Sequence, residues 1–196
     1  MKTMITSIGE DSNEVAIEAK KFYVTTLTQQ YSFYLSGQIL SPDHYTDWFQ
    51  AMRLASSTDI IKIHINSQGG EAPTAIQFRR VISEVEAPVI ISVEGDCMSA
   101  ATMILMAADK IEISPHSSFM FHNYSGVSVG KGGEMYDSIS HERKWSENLL
   151  KDIYKDFLTE AEIHAILENK DLWMETDEVL KRLEKKIKID LKKVRK

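Results

Sequence analysis

Two β-branched runs each end on a glycine turn and lead straight into a helix, and this repeated order limits the fold more than any other feature. Ile60-Ile61-Lys62-Ile63-His64-Ile65 runs into Asn66-Ser67-Gln68-Gly69-Gly70, and then into the helical stretch Glu71-Ala72-Pro73-Thr74-Ala75-Ile76-Gln77-Phe78. Val89-Ile90-Ile91-Ser92-Val93 runs into Glu94-Gly95-Asp96-Cys97-Met98, and then into a small-residue apolar stretch that opens Ser99-Ala100-Ala101-Thr102-Met103. Strands alternating with helices imply right-handed crossovers and an α/β fold with a mainly parallel sheet. Ligands of such sheets bind beyond the carboxyl ends of the strands. Both glycine turns fall there.

The remaining segments fit this frame. A strand is expected at 32–36, and a helix at 43–56 with Tyr45, Trp48, Phe49 and Met52 on one face. A helix at 72–85 ends before Pro88, and a buried helix follows at 99–108. Short strands are expected at 110–113 and 118–121, with a weaker strand signal at Phe22-Tyr23-Val24. A glycine-rich loop at 123–132 precedes a long helix at 133–157 bearing Tyr136, Ile139, Trp145, Leu149, Ile153 and Phe157. Thr159 and Glu162 are spaced as a capping box for the next helix. Trp48, Phe49, Tyr136 and Trp145 exceed what a small core requires, and an oligomer interface is expected to take them.

The chain of 196 residues is one domain's length. A net charge of −6 gives no argument for nucleic-acid binding, and no apolar run approaches the ~18 residues of a membrane span. Residues 1–10 lack the apolar core of a signal peptide, and the single cysteine, Cys97, fits a reducing compartment. A cytoplasmic protein is expected, with no cofactor and no metal. The tail 181–196 holds nine basic residues against Glu184 and Asp190, so it carries +7. It reads as a solvated tail, or as a contact for an acidic partner or for nucleic acid.

Ser99 stands where a strand turns into a helix. Unpaired peptide N–H groups gather at a helix start, where they stabilise a developing oxyanion. This placement suits a nucleophile, but taken alone it is more often that of a plain N-cap. Gly69-Gly70 lets backbone approach a ligand, or simply turns the chain. Cys97 is an alternative nucleophile two residues from Ser99, although buried free thiols are usually inert. Of the six histidines, His122 follows strand 118–121, at a strand end. His64 falls inside a strand, His44 and His141 on helix surfaces, His116 after Pro115, and His164 in the late helix.

Five segments in register resemble the ClpP peptidase family. Ile65-Asn66-Ser67-Gln68-Gly69-Gly70 is similar to its I-N-S-P-G-G loop, and Gly95-Asp96-Cys97-Met98-Ser99 to its G-x-A-A-S turn. Ser118-Phe119-Met120-Phe121-His122-Asn123 resembles the stretch carrying its histidine. Lys170-Asp171-Leu172-Trp173-Met174-Glu175-Thr176-Asp177-Glu178 resembles its R-D-x-F-M-S-A-x-E stretch, and Phe33-Tyr34-Leu35-Ser36-Gly37 an early strand. The resemblance runs from about residue 31 to 180.

This resemblance implies a ClpP/crotonase-like fold with a protruding handle helix, and a serine endopeptidase acting on peptides and unfolded proteins. Ser99, His122 and Asp171 would form the triad, and the backbone N–H groups of Gly70 and Ala100 the oxyanion hole. Substrate would lie as an added strand against Glu71 and Ala72 and against Tyr124 and Ser125. It further implies a homo-oligomeric ring, heptameric and stacked as a tetradecamer, with a Clp ATPase as possible partner. Residues 1–30 do not match the family's docking segment, which puts that partner in doubt. Gln68 in place of proline and Cys97-Met98 in place of two alanines mark a divergent, phage-type member. Asp171 also reads as a helix N-cap, with Asp177 as the next candidate. Competing readings are an inactive scaffold subunit of the same fold, a crotonase-superfamily acyl-CoA enzyme, and a Ser–Lys peptidase using Lys110 or Lys151.

Overall fold

The computed structural model describes residues 28–184. The segment Phe22-Tyr23-Val24 and residues 185–196 of the basic tail lie outside them. The chain builds β1 (Gln30–Ile39), a 3-10 turn (Pro42–Tyr45), α1 (Thr46–Leu54), β2 (Ile60–Gly70), α2 (Ala72–Glu84) and β3 (Val89–Met98). It continues with α3 (Ala100–Leu105), β4 (Lys110–Ile113), β5 (Ser118–Phe121), α4 (Gly132–Tyr154), α5 (Glu160–Leu167) and β6 (Leu172–Glu175). A last helix, α6, occupies 176–184.

The sheet is ordered β1-β2-β3-β5-β6, with β4 paired to β3 off that path. All pairings are parallel except β5 with β6. This is the mainly parallel α/β architecture that the alternation of strands and helices implies. β3 is shared between two neighbours: its first half pairs β4 from Ile90↔Lys110 to Val93↔Ile113, and its last residues pair β5 from Asp96↔Ser118 to Met98↔Met120. The strand therefore does not stop at Val93. The stretch 94–98, expected as a turn, stays extended because Cys97 is held between Ser67 of β2 and Phe119 of β5. The reversal falls on Ser99 alone. The helix expected at 43–56 is split into the 3-10 turn and α1, and the helix expected at 99–108 spans only Ala100–Leu105.

Strand alternation sets the layers. Ile61, Ile63 and Ile65 of β2 and Val89, Ile91 and Val93 of β3 are buried on the side that packs against α3. Every residue of α3 is buried, which its small apolar sequence permits. The opposite face carries Lys62, whose Nζ lies 2.9 Å from Glu112, and His64, whose Nδ1 lies 2.5 Å from Glu94 while its ring stacks on Tyr34. Trp48 and Phe49 are taken up largely by the core. Phe49 is buried and Trp48 is half-buried, and both pack into one aromatic cluster with Phe33, Tyr45 and Phe78.

α4 has two unlike halves. Its buried residues, Ser146, Leu150, Ile153 and Tyr154, all lie in the second half. The first half stands away from the core, with Tyr136 72% and Ile139 51% exposed. It is the protruding helix expected from the resemblance.

Candidate active site

The site is built around the backbone of Ser99. Its φ of 53° and ψ of −126° lie where an L-residue is seldom found. Such strain persists only where the surroundings over-determine it. The surroundings here are explicit. The Ser99 N–H donates to the Met120 carbonyl at 2.8 Å, tying the turn to β5. The Ser99 carbonyl accepts from the Thr102 N–H at 2.9 Å and from Thr102 Oγ1 at 2.6 Å. Thr102 Oγ1 in turn lies 2.6 Å from the hydroxyl of Tyr154 at the end of α4. Both groups are buried, and burial pushes the Tyr154 hydroxyl pKa well above its usual range.

The loop at the end of β2 presses on this turn from the other side. Gly69 has φ +95°, and a Cβ there would stand 2.6 Å from Ser99 Cβ and 2.7 Å from the Met98 carbonyl oxygen. Gly70 has φ +150°, and a Cβ there would stand 2.1 Å from the Ile39 carbonyl oxygen. Both positions demand glycine for conformation and for space. Buried Ser67 shapes the loop: its Oγ donates to the Gly37 carbonyl at 2.6 Å and accepts from the Gly69 N–H at 3.1 Å. Gln68, where the resembled loop has proline, leaves this geometry in place.

The Ser99 side chain makes no capping bond to α3, so the plain N-cap reading does not describe it. Its Oγ lies 2.6 Å from Nε2 of His122, the residue that follows β5. In the tautomer with the proton on Nδ1, the serine hydroxyl donates to Nε2. This is the contact a general base makes with a nucleophile.

Asp171 is less engaged. The antiparallel register of β5 and β6 runs from Ser118↔Glu175 to Phe121↔Leu172, so one further step sets Asp171 opposite His122. Its exposed carboxylate makes no hydrogen bond to His122 among the described residues. It precedes a strand and caps no helix. The loop carrying it is tied to the histidine's neighbour: Asn123 Nδ2 donates to Asn169 Oδ1 at 3.3 Å, and Asn169 sits at φ 62° just after α5. Asparagine tolerates that left-handed conformation at a helix end. Asp177 lies in α6, past β6.

A cavity of about 370 Å³ opens beside the Ser99–His122 pair. Gly70 and Ala100 line it, as do Glu71, Ala72, Tyr124 and Ser125. The Ala100 N–H, first in α3, has no acceptor within the helix. The structure thus brings together every residue singled out for the site except the Asp171 side chain. It also adds Thr102 and Tyr154 as supports of the turn. Tyr154 carried no local signal, being one of three aromatics on a long helix.

The rival groups are placed elsewhere. Cys97 is fully buried, and burial pushes its thiol pKa up, so it is not an available nucleophile. Lys110 pairs with Glu112 and Lys151 with Glu147. Neither lines the cavity of Ser99. Among the described residues no group of three or more His, Cys, Asp or Glu is placed to hold a metal ion. No helix among them is long and apolar enough to cross a membrane.

Comparison with known proteins adds one finding. The model of the family described as Clp protease matches residues 17–182. A search of curated proteins returns no match.

Proposed function

This chain belongs to the Clp protease family and is a peptidase, and from that premise we propose that it is a serine endopeptidase of unfolded proteins and peptides. The observation that carries the reading is the 2.6 Å contact between Ser99 Oγ and His122 Nε2 at a strained turn. Ser99 attacks the peptide carbonyl while His122 takes its proton. The oxyanion of the tetrahedral intermediate accepts from the N–H groups of Gly70 and Ala100. His122 then gives the proton to the leaving amine. Water, activated by the same imidazole, hydrolyses the acyl-serine, releasing the new carboxylate and restoring Ser99.

Asp171 orients the imidazole through Nδ1–H. Its place one step beyond the β5–β6 pairing, towards His122, supports the role. Substrate adds as a strand along Glu71 and Ala72 on one side and Tyr124 and Ser125 on the other. Backbone pairing of this kind accepts many sequences.

Residues 1–196 act as one peptidase domain, in the cytoplasm, within a homo-oligomeric ring. Family members assemble as rings and work with Clp ATPases, and a ring of seven, stacked in pairs, is the assembly proposed here. A Clp ATPase is the proposed partner.

A fluorophosphonate probe tests the chemistry. Covalent labelling of the parent at Ser99, absent in Ser99→Ala, is the expected result. An unlabelled parent overturns it. The free Asp171 carboxylate favours a second reading, a scaffold subunit that keeps the fold without turnover, and that outcome would select it.

A further inference from the structure

The cavity beside Ser99 is unbalanced in charge. Its lining includes two carboxylates, Glu71 and Glu142, and no lysine or arginine. Glu142 sits on α4 and is half-buried. Three of the four other carboxylates of that helix hold a cation one turn away: Glu134 faces Lys131, Glu147 faces Lys151, and Asp152 faces Lys155, while the fourth, Asp137, does not line the cavity. Glu142 has no such neighbour. Its positions three and four residues away are Ser138, Ile139, Trp145 and Ser146, and Arg143 and Lys144 are too close in sequence to face it. Among the described residues its one hydrogen bond comes from Ser138 Oγ, at a long 3.5 Å.

The helix turns this carboxylate towards the same space as a stripe of larger side chains. Glu142, Trp145, Ser146, Leu149 and Leu150 all line the cavity, at helical spacings of three and four. Leu149, Leu150 and Met103 form an apolar floor near the serine turn, and Glu142 stands eight residues up the helix from Leu150. That distance is about 12 Å along the axis. An extended peptide covers it in about four residues.

We propose that Glu142 selects peptides with a lysine or arginine three to five residues from the side chain that lies against Met103, Leu149 and Leu150. The proposal rests on the reading of Ser99 and His122 as the reacting pair. It makes Glu142 a specificity-determining residue and gives the enzyme a preference within an otherwise sequence-tolerant groove.

The test uses internally quenched peptides with one leucine in a Gly/Ala/Ser background, and Lys, Gln or Glu placed at each flanking position in turn. Expected is a kcat/KM for Lys over Glu of about threefold or more at a position three to five residues from the cut, shrinking as salt rises. Glu142→Gln brings this ratio towards one, and Glu142→Lys inverts it. The ratio is internal to each variant, so a loss of overall activity does not obscure it. A parallel arm measures binding of the same peptides to Ser99→Ala by fluorescence anisotropy, where the same order is expected. A ratio of one at every position, or a parental ratio in Glu142→Gln, overturns the proposal. If the parent cleaves nothing and resists fluorophosphonate, the catalytic reading has failed, and the anisotropy arm still decides the charge preference.

Discussion

A methyl group at Gly69 would meet Ser99 Cβ at 2.6 Å and the Met98 carbonyl oxygen at 2.7 Å, at a φ of +95° that only glycine adopts freely. Gly69→Ala is therefore expected to displace the serine turn, lowering stability by about 1–3 kcal/mol and peptide turnover by ~100-fold. Urea titration and cleavage of a fluorogenic peptide check the two numbers, and parental turnover would mean that the turn yields without loss. Ser99→Ala removes one hydroxyl from an otherwise intact frame. It should cost ~10⁴–10⁶ in turnover and leave assembly unchanged. His122→Ala and Asp171→Asn are expected to be inactive too, and neither should add much to Ser99→Ala, because groups acting as one unit are non-additive. An Asp171→Asn protein with near-parental activity would move the orienting role elsewhere, with Asp177 next in line.

At the scale of elements, Arg182 holds α6 against α5. Its guanidinium donates to both oxygens of Glu162, at 2.7 and 2.9 Å, and to Glu178 at 2.7 Å, and it lies over the Phe157 ring. The arginine beside it draws the Glu162 carboxyl pKa from its ordinary 4.5 down to about 2. The folded form thus binds fewer protons than the unfolded one between those values. Stability from this pair is complete above pH 4.5 and is lost as pH falls towards about 2. Arg182→Met is expected to cost about 1–3 kcal/mol at pH 7 and to flatten that acid limb. Urea midpoints at pH 7 and pH 3 check it, and an unchanged acid limb would clear Arg182 of the role. The Thr159–Glu162 capping box of α5 was legible in sequence because it is local, and it forms as spaced. Its third member, Arg182, was not, because twenty residues separate it from Glu162. The same distinction runs through the fold. The parallel strands 60–65 and 89–93 announced themselves by β-branched runs, whereas β6 did not. Leu172-Trp173-Met174-Glu175 has no β-branched residue and is a strand only because β5 offers an edge. The extension of β3 to Met98 likewise depends on partners on both sides of Cys97. At the site, Ser99, His122 and the two glycines were legible by type and order. The positive φ of Ser99 and the Thr102–Tyr154 support were not, since both arise from contacts across the sheet and the helices.

For the molecule as a whole, the first half of α4 has no buried residue, and Val127 and Val129 before it are 92% and 89% exposed. Apolar surface of this kind marks an interface, and closed symmetry is its usual outcome. Light scattering of the purified protein is expected to give a ring-sized mass, and Tyr136→Ser with Ile139→Ser to reduce it. A stable monomer of 22.3 kDa at micromolar concentration would remove the ring proposal. The place of β6 has a consequence in time. It is an edge strand, it pairs with β5 alone, and it follows β5 by some fifty residues of chain. At a synthesis rate of ~5–20 residues per second, the parallel part of the sheet is available about 3–10 seconds before β6 emerges. Asp171, the proposed orienting residue, arrives with β6, so on that proposal a nascent chain carries Ser99 and His122 for seconds before the third group can join them. A protease made in this order is born unfinished beside the unfolded chains around it.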